Sequence, residues 1–308
     1  MPLSWKLASL VAVTAFVSAV AAVHVVRLLA LRFGRLDIPG PRSAHRVPVP
    51  RLGGVGVMAG FGASTLLLLV TGAQPVPWNW PQMAAIGLTA GISLYDDLRG
   101  VHPAPRLLVH LLTALCIVLA GPAISGFTAV LAVLWIVGFI NAFNFMDGID
   151  GIAGLQATVA ALTWVWLGVR AEQTPMIVAG LMMAGSCLGF LVHNWSPARI
   201  FLGDVGAAAL GAILASMPWL TPAPGAWLLP AVCAVWPFWL DAGVTLVRRA
   251  LRGERLWLPH QQHVYQQLVR SGYSHAQVAL LYGVLAALGA LAASAVTGTP
   301  VESLVLAR

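Results

Sequence analysis

Charge is what this 308-residue sequence lacks: Asp, Glu, Lys and Arg together make up 9% of it, against roughly a quarter in a soluble globular chain. With 59% hydrophobic residues and a mean hydropathy of +0.86, that shortage excludes an ordinary soluble domain and places the chain in a lipid bilayer. Cysteine is scarce too. Cys116, Cys187 and Cys233 each sit in an apolar stretch, without partner spacing or a nearby histidine pair, which excludes a disulfide framework and a zinc site. A soluble basic module is also missing, so the net charge of +7 points away from nucleic acid and toward anionic headgroups and a polyanionic substrate. Apolar stretches recur along the whole length, and a single membrane domain over 1–308 is expected.

A helix needs about 20 apolar residues to cross hydrocarbon. Ten stretches are candidates: 7–31, 53–72, 81–95, 106–121, 125–141, 152–170, 174–192, 204–219, 225–247 and 276–297, the third and fourth short. The expected fold is all-α and polytopic. In the first stretch Ser18 to Ala22 resembles a cleavage site, but the apolar run is too long for a signal peptide and a basic loop follows, so it reads as a retained anchor. An even number of spans puts both termini on one side. Lys6, Arg170 and Arg308 fall there, and the other 14 of the 17 Lys and Arg fall at or near loops 1, 3, 5, 7 and 9. Those five loops are therefore expected in the cytoplasm and both termini in the periplasm. Trp78, Trp80, Trp219 and Trp227 on the outer connections read as an interfacial belt. The acids share the basic face, which the positive-inside rule does not require: Asp37, Asp96, Asp97, Asp147, Asp150, Asp204 and Glu254 lie on it, and Asp241 lies within span nine. Carboxylates gathered there imply a site.

Tyr95-Asp96-Asp97 ends span three, at the negative pole of a helix; it is either a magnesium- and phosphate-directed pair or two loop acids paired with Arg99 or Arg106. In Asn141 to Gly151, Asn144, Asp147 and Asp150 recur every third residue and would share a face on a helical turn, while Gly148, Gly151 and Gly154 permit close approach. The segment His193 to Asp204 contains Asn194 and Arg199 and leads into span eight, where Asp204 is either an N-cap or a metal ligand. Loop 1 places Arg42, His45, Arg46 and Arg51 among prolines, donors suited to phosphate. Loop 9 holds four arginines and then His260 and His263, whose spacing lacks the further ligands zinc needs.

Together these segments resemble the polyprenyl-phosphate N-acetylhexosamine-1-phosphate transferase family of glycosyltransferase family 4, over about Asp37 to Leu268. The resemblance implies that Asp96 and Asp97 serve magnesium, diphosphate binding and deprotonation of the lipid phosphate, and that Asn144, Asp147 and Asp150 line the nucleotide and catalytic cleft. It makes Asp204 a magnesium ligand, with Asp97 beside it, and puts His260 and His263 in the family's histidine segment. Arg106 is set against a basic residue near the phosphates; Arg42, His45, Arg51, Asn194 and Arg199 complete the substrate-binding candidates. Two glutamines separate His260 from His263 where the peptidoglycan branch has adjacent histidines, a likeness to the branch that starts O-antigen or other surface glycans.

The implied reaction takes a UDP-N-acetylhexosamine and undecaprenyl or another polyprenyl phosphate, with Mg2+ or alternatively Mn2+, and releases UMP. Its implied setting is the bacterial inner membrane with the site facing the cytoplasm, a homodimer being compatible with the family. The alternative class is a cation- or proton-coupled transporter, which would carry polar residues at the midplane and an internal repeat. Neither is visible in the sequence.

Overall fold

The structure is a computed structural model and describes residues 4–40, 47–73, 76–255, 258 and 260–298. Its helices are α1 (Trp5–Arg32), α2 (Gly53–Thr71), α3 (Trp80–Arg99), α4 (Pro103–Leu119), α5 (Gly126–Met146), α6 (Ile152–Arg170), α7 (Thr174–Asn194), α8 (Gly203–Ser216), α9 (Pro224–Leu251), the short α10 (Val264–Arg270) and α11 (His275–Gly298). A 3-10 turn, Met217–Leu220, prolongs α8. Among the described residues eight helices, α1, α2, α5 to α9 and α11, are long and apolar enough to span a membrane. The other two long ones match the short stretches of the sequence: α3 carries Asp96, Asp97 and Arg99 in its last turns, and α4 has 17 residues. The chain is an all-α, multi-pass membrane protein.

Small residues let the helices approach closely, as they do where water supplies no drive for association. The face of α1 made by Ala8, Val11, Ala15, Ala19 and Val23 is buried. It meets Gly185 and Gly189 of α7, where an added Cβ would lie 2.5 Å from the Ala12 carbonyl and 2.6 Å from that of Phe16. Gly56 and Gly60 of α2 meet the same helix, again four residues apart. The alanine- and glycine-rich α8 is central, 89% buried over Gly203–Leu220. It packs against α2, α3 and α5, while α11 packs against α6 and α9.

Two expectations change. Trp78, Trp219 and Trp227 are buried within the protein; the Trp78 indole donates to the Ser216 hydroxyl at 2.9 Å. Of the four tryptophans assigned to a belt only Trp80 is exposed. In addition, α5 runs on to Met146 instead of stopping at Asn141, because the Asn141 amide donates to the Val137 carbonyl one turn back at 2.8 Å.

Candidate active site

The connections after α1, α3, α5, α7 and α9 meet at one end of the bundle. Loop 1 closes on itself through a two-residue antiparallel ribbon, β1 (Leu36–Asp37) with β2 (Val49–Pro50), which pairs Leu36 with Pro50. The segment before α8 then docks on it. The Phe201 N–H donates to the Pro50 carbonyl at 2.8 Å, and the N–H groups of Gly53 and Gly54 donate to Phe201 and Leu202 at 2.8 and 2.7 Å. Leu52 adopts φ +79° between these contacts, a left-handed conformation costly for a branched side chain. Gly54 touches Gly206 backbone to backbone. These contacts deliver Arg51 to the mouth of α8.

The acid that caps α8 is Asp97, from α3. Its carboxylate accepts from the backbone N–H groups of Asp204 at 3.1 Å and Val205 at 2.9 Å, and Arg51 stands 3.3 Å away. The Asp97 side chain is fully buried. Gly203 permits this twice over: its φ is +76°, and a Cβ there would sit 2.8 Å from the Asp97 carboxylate. Asp204 is thus not the N-cap that its position allowed; Leu202 holds that place, and the Asp204 side chain is free to turn outward. Arg106, on the first turns of α4, pairs with the carboxylates of both Asp96 and Asp204, the latter at 3.0 Å. Arg99, the other partner considered for the aspartate pair, is exposed.

Asp204 faces a cavity of about 220 Å3 shared with Asn144, Asp147, Asp150, Arg51 and His275. Asn144, Asp147 and Asp150 do not lie on one helical face, since α5 ends at Met146 and Gly151 turns at φ +77°. They reach the same cavity because the 147–151 turn folds around it. Burial pushes the Asp147 carboxyl up to about 7, helped by the charges of Asp204, Asp97 and Asp150 and opposed by Arg51. Asp150 behaves oppositely. Burial works against its ionised form, but the hydrogen bond and charge of His275, at 3.2 Å, and the Ala198 N–H hold its carboxyl below the usual range. Asn194 is a clamp: its carbonyl oxygen accepts from Gly151 N–H at 3.0 Å and its amide donates to the Ile200 carbonyl at 2.9 Å, tying two loops together. Arg199 is exposed and does not line the cavity. Arg42 and His45 lie outside the described residues.

His260 and His263 line a second cavity, of about 790 Å3, together with Arg106, Asn141, Phe145 and Leu107. Gln266 borders both cavities. The His263 ring lies 3.3 Å from Asp241, whose carboxylate also accepts from the N–H groups of Val264 and Tyr265, at 2.8 and 3.1 Å, and from the Tyr282 hydroxyl at 2.6 Å. The one acid buried within a span therefore caps α10 and fixes a histidine ring. Burial pushes the His260 imidazole down to about 4, with nearby His263 and Arg249 acting the same way. Sequence reasoning missed His275 and Gln266 as lining residues and Asp241 as an anchor. The one available signal was an acid inside span nine followed by a histidine after a loop.

Among the described residues no three acidic, histidine or cysteine side chains form a ready-made metal cage. Magnesium does not need one, because it takes one or two carboxylates and completes its shell with water and phosphate oxygens. The Asp96 and Asp204 carboxyls lie within hydrogen-bonding reach of each other with Arg106 across both, and a pair so close takes up a proton or a cation readily. The donor set fits a hard divalent ion.

Fold and site together define a multi-pass membrane protein with carboxylates and guanidiniums converging at one end of its bundle. A model of glycosyl transferase family 4 matches residues 79–221, from the cap of α3 to the turn after α8. A decaprenyl-phosphate N-acetylglucosaminephosphotransferase of Mycobacterium tuberculosis (strain ATCC 25618 / H37Rv) is 28% identical over 316 residues, covering 89% of this chain and 78% of the relative. A probable undecaprenyl-phosphate N-acetylglucosaminyl 1-phosphate transferase of Bacillus subtilis (strain 168) is 27% identical, covering 82% and 74%. A phospho-N-acetylmuramoyl-pentapeptide-transferase of Moorella thermoacetica is 33% identical over a shorter stretch, 43% of this chain and 41% of the relative. Residues 79–221 thus match glycosyl transferase family 4, and the polyprenyl-phosphate N-acetylglucosamine phosphotransferases align with most of the chain.

Proposed function

We propose that this protein transfers N-acetylhexosamine-1-phosphate from a UDP-sugar to undecaprenyl or another polyprenyl phosphate, giving polyprenyl-diphosphate-sugar and UMP, at the cytoplasmic face of a bacterial inner membrane. The observation that carries it is the meeting of Asp147, Asp204 and Arg51 at one cavity, with Arg106 pairing Asp204 and Asp96 at its edge, from connections far apart in sequence. Surface-glycan synthesis without a peptide is favoured over peptidoglycan synthesis: the two N-acetylglucosamine phosphotransferases align over most of this chain, the pentapeptide transferase over 43% of it.

The donor's diphosphate sits in the smaller cavity, where Arg51 supplies guanidinium contacts to its oxygens and Arg106, paired with Asp204, stands at the edge. Asp204 and Asp96 hold Mg2+ or Mn2+, which when bound neutralises charge on the phosphate oxygens. Asp97 acts through position, fixing the α8 terminus and Arg51. The larger cavity takes the carrier's phosphate beside Arg106, His260 and His263, with its isoprenoid chain toward the lipid. A carboxylate of the smaller cavity takes the proton of the acceptor phosphate, Asp147 being the group poised near neutrality. Attack on the phosphorus bearing the sugar then expels UMP, and most of the acceleration comes from alignment and charge neutralisation.

The test is UMP release by purified protein with undecaprenyl phosphate and a panel of UDP-N-acetylhexosamines. Release is expected only when carrier lipid and divalent metal are both present, is abolished by EDTA, and falls at least about 100-fold in Asp204→Asn. Turnover unchanged by metal removal, or an active Asp204→Asn enzyme, would refute the assignment.

A further inference from the structure

The arginines that follow α9 have no place in the site described above. Arg248 and Arg252 at the end of α9 and Arg270 at the end of α10 line a separate cavity of about 330 Å3 with Gln261, Gln262 and Gln267. All three arginines are exposed, and among the described residues none is ion-paired to a carboxylate. Glu254, the acid of this loop, is held by Arg249 and Gln262, both at 2.9 Å, and feels the charge of Arg252, so one acid beside the cavity stands against Arg248, Arg249, Arg252 and Arg270. Arg248 also closes the end of an apolar groove of about 490 Å3 that runs along α9 past Val232, Trp236, Leu240 and Val244. A preference for basic residues on one face accounts for arginines here. It does not account for three of them converging with three amides on a concavity where, among the described residues, one acid behind the wall is outnumbered, and like charges repel unless an anion lies between them.

We propose that this is a binding site for an anionic phospholipid of the surrounding leaflet, its phosphate among Arg248, Arg252 and Arg270 and an acyl chain in the α9 groove. The charge selects the headgroup, and the groove, continuous with it through Arg248, selects an amphiphile over a free ion. A lipid so placed ties the C-terminal end of α10 to α9, as Asp241 ties its N-terminal end, and steadies the loop that carries His260 and His263.

Lipid binding tests this independently of the transferase reading. Delipidated full-length protein in neutral detergent is titrated with phosphatidylglycerol or phosphatidylcholine and followed by native mass spectrometry. Phosphatidylglycerol is expected to bind roughly 100-fold more tightly, on the scale of three arginines beside an anionic surface, with a preference that shrinks as salt rises. Combining Arg248→Gln, Arg252→Gln and Arg270→Gln should bring the two lipids within about threefold at an unchanged unfolding temperature, since the side chains are exposed. Arg32→Gln with Arg99→Gln, also exposed, should leave the preference intact. Equal binding of both lipids by the wild type, or an equal loss in the control variant, overturns the proposal. So does displacement by millimolar inorganic phosphate, or a triple variant that retains phosphatidylglycerol and loses only undecaprenyl phosphate.

Discussion

Asp147 and Asp150, three residues apart on one turn, are set in opposite directions by their neighbours. Asp147 holds its proton up to about pH 7 in the metal-free protein. Its folded carboxyl lies above the unfolded value, so its contribution to stability is present in acid and is lost as pH rises from about 4 through 7. Metal-free Asp147→Asn should therefore be more stable than wild type above neutrality, on the order of 1 kcal/mol once the cavity's access to water is discounted. The gap should close toward pH 4; unfolding temperatures of the pair across pH would read it, and a gap that widens in acid would contradict the assignment. Asp150 has its carboxyl lowered, so its stabilisation is present above about pH 4 and disappears as acid protonates it. His275→Gln removes the partner and should cost about 2 kcal/mol near neutrality. That difference should shrink below pH 4.

At the scale of elements, one helix supplies what the end of another lacks. The orphan N–H groups of α8 are taken by Asp97, over a hundred residues earlier, and those of α10 by Asp241. Replacing Asp97 by Ala should thus loosen the α8 terminus as well as the site, costing about 1–3 kcal/mol of stability. Asp97→Asn, which still accepts one hydrogen bond, should lose less stability than Asp97→Ala while turnover falls in both. Close helix contact sets a second constraint. Gly54 meets the α8 backbone, whereas Gly62 on the same helix has nothing within 4 Å of an added Cβ. Gly54→Leu should therefore destabilise by about 3 kcal/mol or more, and Gly62→Ala should be neutral within about 0.5 kcal/mol. Similar losses at both positions in a detergent unfolding assay would mean that α2 and α8 do not pack this way.

Across the whole molecule, hydropathy alone located the membrane helices, because a segment that must satisfy its backbone inside lipid leaves a long apolar run. The errors fall where a local signal has two physical causes. An asparagine reads as the end of a span, but Asn141 bonds its own helix; a tryptophan reads as interfacial, but an indole is equally stable packed with a partner, as Trp78 is with Ser216. The candidate site was legible as motifs on one face. Its wiring was not: nothing near Asp97 in sequence says that it caps a helix from the far half of the chain, and His275 stands in no motif.

Central to this account is that a sugar travels with its phosphate, and the fate of that phosphorus tests it most directly. A UDP-N-acetylhexosamine labelled with 32P on the phosphate next to the sugar is incubated with enzyme, magnesium and polyprenyl phosphate, then partitioned between water and organic solvent. Label is expected in the lipid, as polyprenyl-diphosphate-sugar, with unlabelled UMP in the water. Label retained in the water as UDP, with sugar alone on the lipid, would contradict it.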